Sequence, residues 1–175
     1  MRNLQYLAQN SETMTQELQF IPFKSRTDKG WAQAWALYEK SFPDCERWRA
    51  EDYDRAFGDS HFEADGIWRG GEFIGILFNW HAGSYRYLEH LAISPALRGQ
   101  NMGSQALAAF CRKVGRVILE IDPPVDDIAR RRQGFYQRCG FAVNPYPHVH
   151  PPYRPEYPGH ELVVLSSPRA LTPAE

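Results

Sequence analysis

The chain has no surplus of positive charge: 20 Lys and Arg stand against 21 Asp and Glu, for a net charge of −1 over 175 residues. Basic excess is what draws a protein to nucleic acid or to an anionic membrane surface, so neither is a default partner here. Cysteine is scarce. Cys45, Cys111 and Cys139 are an odd number at no metal-ligand spacing, which fits a reducing cytoplasm better than a disulfide framework. Long apolar runs are missing, and none approaches the roughly 20 residues that a bilayer span requires. The opening MRNLQYLAQNSETM lacks the apolar centre of a secretory signal. Residues 1–16 therefore read as a loose leader, with Met1 and Met14 both usable as starts. There is no internal repeat.

What remains is ordinary globular composition, with 43% apolar and 23% charged residues. A chain of this length is a prior for one domain, and it can bury roughly 70% of the surface that its unfolded state exposes. The domain is expected over residues 17–168, with a tail at 169–175.

Periodicity orders the elements. LQFIPF (18–23) alternates as a first strand. Trp31, Ala34, Trp35 and Tyr38 recur at helical spacing, which predicts a helix over Lys29–Lys40 that ends before Pro43. A more polar helix is expected over 46–57. Strands follow at 62–69, 72–80 and 85–93, separated by turns at Arg69-Gly70-Gly71-Glu72 and Ala82-Gly83-Ser84. Met102, Ala106, Leu107, Phe110 and Val114 share one helical face, and Gly115 closes it. RVILEID (116–122) reads as a buried strand, parallel to its neighbour and reached through the helix crossover. A helix over 126–140 and strands at FAVNP and 160–166 complete the order β-α-α-β-β-β-α-β-α-β-β. This is an α/β (α+β) domain around a mixed, mostly antiparallel twisted sheet flanked by helices. Residues 144–158 hold six of the thirteen prolines together with Tyr146, Tyr153 and Tyr157, and a segment so stiff and aromatic reads as an ordered loop.

The informative stretch is LRGQNMGSQAL (97–107), where a strand hands over to a helix. A helix start leaves unpaired N–H groups and partial positive charge, which suit phosphate. Gly99 and Gly103 let backbone approach a ligand without a Cβ, and Arg98 adds a charged fork. A diphosphate cradle and a merely tight strand-to-helix turn are both open readings of these residues alone. No Gly-Lys-Ser/Thr follows, so it is not a P-loop, and the dinucleotide glycine spacing is missing too.

Arg98-Gly99-Gln100-Asn101-Met102-Gly103, then a strand, then Phe135-Tyr136-Gln137-Arg138-Cys139-Gly140-Phe141, resembles the GNAT superfamily of acyl-CoA-dependent N-acetyltransferases. The two motifs lie about thirty residues apart, and the resemblance covers roughly residues 18–166. It implies acetyl-CoA as co-substrate, no metal, and transfer to a primary amine of a small molecule or peptide. A homodimer is a common family assembly. The alternative is a CoA-ester-binding module that has lost turnover. Carried over, the backbone of Leu91, Ala92 and Ile93 holds the pantetheine arm and polarises the thioester, and residues Arg98 to Ser104, including Gln100, Asn101 and Met102, hold the diphosphate. There are two departures from the pattern. Asn101 stands at a motif glycine, where Asn tolerates unusual backbone angles. Ala129 and Arg132 precede Tyr136 where many members carry a small residue and an Asn.

Tyr136, a phenol near pKa ~10, is the expected general acid for the departing thiolate. Its other reading is a core tyrosine. Glu89, sharing strand parity with Leu91 and Ile93, is the expected base, or else a solvated strand residue. His90 would face the opposite way, and His81 is the runner-up base. Two stretches could wall the acceptor site. Asp44 to Asp59 holds six acidic residues against three arginines and is either an amine attractor or a solvated face. HVHPPYRPEY supplies His150 and Tyr153 as candidate substrate contacts, or is only a stiff connection. His148, His150 and His160 suggest a metal only weakly, with no carboxylate or Cys at ligand spacing.

Overall fold

Strand pairing builds the frame. The computed structural model describes residues 17–175. Eight strands form the sheet: β1 (Leu18–Phe23), β2 (Phe62–Arg69), β3 (Glu72–Ala82), β4 (Tyr85–Ile93), β5 (Val117–Ile121), β6 (Ala142–Val143), β7 (His148–His150) and β8 (His160–Ser167). Their order is β1-β2-β3-β4-β5-β8-β6, with β7 added on β8. Only β4 and β5 run parallel. Gly70 and Gly71 both take positive φ (58° and 82°) between the paired Arg69 and Glu72, the two-residue hairpin geometry that residues with a Cβ resist.

Helices α1 (Trp31–Ser41) and α2 (Ala50–Ala56) cover one face, and α3 (Met102–Val114) and α4 (Asp127–Arg138) the other. The α1/α2 core is built from rings. Phe78 lies at centroid distances of 6.2 Å from Trp31, 5.8 Å from Tyr38 and 5.6 Å from Tyr53. The α3/α4 core is mostly aliphatic, with Ile67, Leu77, Leu107, Val117 and Leu165 fully buried.

Several expectations shift. The helix expected over 46–57 is a 3-10 turn at Asp44–Glu46 followed by α2. Between them Arg49 is extended, and its amide donates to the Asp52 carboxylate (3.0 Å). The stretch 144–158 contains β7, which periodicity could not reveal in three residues. The larger correction concerns parity. Phe78 pairs with His90, but Asn79 pairs with Leu88, so Glu89 is an extra residue, a β-bulge. One inserted residue resets the alternation. Glu89 and His90 therefore both turn to the α1/α2 face, while Leu91 and Ile93 pack into the α3/α4 core. Residues 169–175 return to the start of β4, where the Glu175 carboxylate accepts from Tyr85 (2.6 Å) and Arg169. The leader lies outside the described residues. No helix among the described residues is long and apolar enough to cross a membrane.

Asp65 of β2 is 2% exposed and one of its carboxylate oxygens has no partner. Burial pushes its pKa up to about 6. The folded state thus holds this proton more tightly than the unfolded chain does, so stability falls as pH rises between about 4 and about 6. Asp65→Asn should remove that loss. In urea unfolding, the variant's advantage over the parent is expected to grow from near zero at pH ~4 to about 2–3 kcal/mol at neutral pH.

Candidate active site

β4 and β5 pair only from Arg86–Leu88 with Val117–Leu119. Past these residues β4 keeps its β3 partners, Gly75 opposite Ile93 and Leu77 opposite Leu91, but has no ladder on the β5 side. The gap is a cleft of about 480 Å³. Its walls come from both faces of the sheet. Leu91, Leu119, Ile121, Phe135 and Tyr136 belong to the α3/α4 core, whereas Phe42, Glu89, His90 and Tyr153 stand on the α1/α2 side. The cleft therefore passes through the sheet.

On the α3/α4 side it meets an open groove of about 950 Å³ lined by Ile93, Arg98, Gly99, Asn101, Met102, Gly103 and Ser104. Phe135 borders both spaces. Asn101 is the N-cap of α3 and takes the left-handed conformation (φ 57°), yet its side chain makes no capping bond. The first-turn amides of α3 thus have no side-chain cap of their own. The Gln100 amide is spent on the Leu97 carbonyl (3.3 Å). Gly103 has an ordinary φ, and a Cβ there would meet Phe135 at 3.6 Å, an unstrained contact. Packing does not demand glycine at this position, which lines the groove.

Tyr136 on α4 packs against Phe135 and Phe141 (centroids 5.1 and 5.8 Å) and borders the cleft. Burial pushes its pKa up to about 12, which keeps the phenol protonated at neutral pH. Arg132, the residue that departs from the family pattern, forms an ion pair with Asp122 at the cleft edge.

Glu89 is nearly closed to water, with 3% of its side chain exposed. Its Oε1 accepts the Trp48 indole N–H (3.0 Å) and its Oε2 accepts that of Trp80 (2.9 Å). Desolvation works against its charge, but His90 and the two indoles outweigh it and hold the carboxyl below the usual range. These surroundings hold Glu89 as a buried anion between two indole N–H groups. His90, wedged against Tyr38 and Phe42 (4.8 and 4.6 Å), donates from Nε2 to the Glu46 carbonyl (3.1 Å). His81 lies outside the cleft, 3.3 Å from Glu63, so it is not brought to the other candidates.

The proline-rich stretch does reach the cleft. His150 stacks on Tyr153 (4.8 Å), and Tyr153 meets Trp48 edge-on (5.8 Å). Asp44 ties the stretch down, accepting from both Arg154 guanidinium nitrogens (2.7 and 2.9 Å) and from the Tyr157 hydroxyl (2.7 Å). The rest of the acidic run is largely paired on the surface, Asp52 with Arg55, Asp54 with Arg26 and Asp59 with His61. Of that run, Glu46 alone borders the cleft. Sequence reasoning missed Glu120, whose carboxylate accepts from the Tyr87 hydroxyl (3.1 Å) and lies 2.6 Å from His148 Nε2. Its alternation with Leu119 and Ile121 in VILEI was the available signal. Among the described residues no group of His, Cys, Asp and Glu has the geometry to hold a metal.

The fold has known counterparts. The structure matches a protein from Bacteroides thetaiotaomicron assigned to the GNAT acetyltransferases, at 26% identity over 90% of both chains and a TM-score of 0.83. An aminoglycoside 6'-N-acetyltransferase complexed with coenzyme A aligns at 13% identity over 86% of this chain and 96% of that one, with a TM-score of 0.60. Arabidopsis thaliana Naa50 in complex with the bisubstrate analogue CoA-Ac-MVNAL aligns at 17% identity over 86% and 97%, with a TM-score of 0.56. No curated sequence matches the chain. The model of the acetyltransferase (GNAT) family matches residues 29–141, and the chain belongs to that family.

Proposed function

We propose that the protein is an N-acetyltransferase that carries an acetyl group from acetyl-CoA to a primary amine of a small molecule or peptide, by direct attack with both reactants bound. One observation carries this reading: a single cleft is walled from both faces of the sheet, so a thioester entering from the α3 side and an amine entering from the α1/α2 side meet inside it. The uncapped start of α3 with Arg98 suits the diphosphate. The open β4 edge at Leu91, Ala92 and Ile93 offers main-chain groups to a pantetheine amide and an N–H to the thioester oxygen. Tyr136 donates its hydroxyl proton to the sulfur as the C–S bond breaks. Glu89 fixes Trp48 and Trp80, and His150 and Tyr153 wall the acceptor side. Two neighbours in the fold, one acting on an aminoglycoside and one bound to a peptide-bearing CoA analogue, use acceptors of very different size. The alternative is a CoA-ester-binding module without turnover, and the release assay separates the two; Asn101, at a motif glycine, takes the left-handed conformation (φ 57°).

Release of CoA thiol from acetyl-CoA over a panel of polyamines, amino acids, aminoglycosides and peptide N-termini tests the activity. No release with any acceptor, and no binding of CoA by calorimetry, would sink it. Tyr136→Phe is expected to lower kcat about a hundredfold while leaving acetyl-CoA affinity within about twofold. Unchanged turnover would remove the phenol from the reaction. Gly103→Ala should leave the melting temperature unchanged and weaken CoA binding about tenfold, a loss of about 1.4 kcal/mol at the groove. An equal loss in both would make the glycine a packing residue.

A further inference from the structure

A neutral amine is the nucleophile in the proposed transfer, so some group on the α1/α2 side must take a proton from the ammonium that arrives. The carboxylates bordering the cleft are Glu46, Glu89, Glu120 and Asp122. Three are already engaged. Glu89 accepts two indole N–H groups, Glu120 accepts the Tyr87 hydroxyl and faces His148, and Asp122 is paired with Arg132. The Glu46 carboxylate has no hydrogen bond or ion pair among the described residues, although its backbone is fixed by the His90 Nε2–H on its carbonyl. A base needs an oxygen lone pair that no other donor occupies, in a place where the substrate nitrogen can reach it.

We infer that Glu46 is the general base: it receives the acceptor as an ammonium and takes one proton from it. The step follows from the proposed function and balances. One ammonium proton passes to a Glu46 carboxylate oxygen. The freed nitrogen pair forms the C–N bond to the thioester carbon, the C–S bond breaks, and the sulfur takes the Tyr136 hydroxyl proton. The second proton on nitrogen leaves to water as the amide forms, and Glu46 and Tyr136 exchange protons with solvent to reset.

The surroundings suit this role. Glu46 is half-buried, and desolvation first and the Asp122 charge second raise its proton affinity, while His160, Arg132 and His90 partly offset them. Glu89 and Glu120 are the other carboxylates that line the cleft beside Glu46 and Asp122. Those anions also favour a cationic acceptor over an anionic one.

The test uses the full-length enzyme, acetyl-CoA and two acceptors: the best amine of the panel, and methoxyamine, which is already neutral at neutral pH. Glu46→Gln is expected to lower kcat/KM for the basic amine about a hundredfold and for methoxyamine less than about threefold, and to abolish the acidic limb of the pH–rate profile. Glu46→Asp should keep the limb with partial activity. A structural role would lower both acceptors alike. Carboxyl-carbon NMR of Glu-labelled protein, assigned by the signal missing in Glu46→Gln, is expected to show titration above the ordinary glutamate value of about 4.3. Titration at or below that value overturns the inference whatever the acceptor. So does an acidic limb that survives in Glu46→Gln or vanishes in Glu89→Gln instead. In those cases a parent enzyme that still acetylates amines leaves the acetyltransferase reading standing. A parent enzyme that acetylates none removes both.

Discussion

The parting of β4 from β5 after Leu88 is the constraint on which the rest depends. A sheet that stayed paired would separate the α3/α4 face from the α1/α2 face completely, and no cleft could cross it. The separation leaves the β4 edge with unspent amides and carbonyls, which in most sheets would be a defect to cover. Here the opening is flanked by apolar Leu91, Leu119 and Ile121, which discourage water from filling it, while β5 is held from its other side by β8. The parallel pairing of only three residues on each strand is enough because β8 and β3 anchor the two strands independently.

The bulge at Glu89 sits next to that opening and decides what lies on its acceptor side. Without the extra residue, Glu89 and His90 would face opposite ways. With it, a carboxylate and an imidazole stand together under the aromatic core. Burying a carboxylate costs several kcal/mol unless donors surround it. Two indole N–H groups from residues far apart in sequence, Trp48 and Trp80, provide them. Both indoles are thereby tied to the anion, and Trp48 in turn meets Tyr153 of the cleft wall. Removing its charge would leave both indole N–H groups without this acceptor.

Much of the frame was legible beforehand, because helices and paired strands announce themselves through local periodicity. The start of α3 was legible for a different reason: Arg98, Gly99 and Gly103 mark backbone geometry and charge directly. The bulge was not, since one inserted residue leaves no mark in composition and turns a parity argument into its opposite. The cleft's acceptor wall depends on contacts of very long range, such as Arg154 reaching Asp44 across 110 residues. No window of the sequence contains both partners. The acidic run at Asp44–Asp59 left two readings open, because its net charge says nothing of which carboxylates are already taken.

Asp44, Asp52, Asp54 and Asp59 spend their charge on Arg154, Arg55, Arg26 and His61, so the run exerts little field beyond its own partners. Asp44 nonetheless shapes the site, by fastening the His150–Tyr157 stretch over the connection that carries Glu46. Proline keeps that stretch stiff, so its closed position carries a small ordering cost when a substrate binds. The cleft thus has a preformed aromatic wall with a few carboxylates inside it, whereas the acidic run on the surface is largely paired.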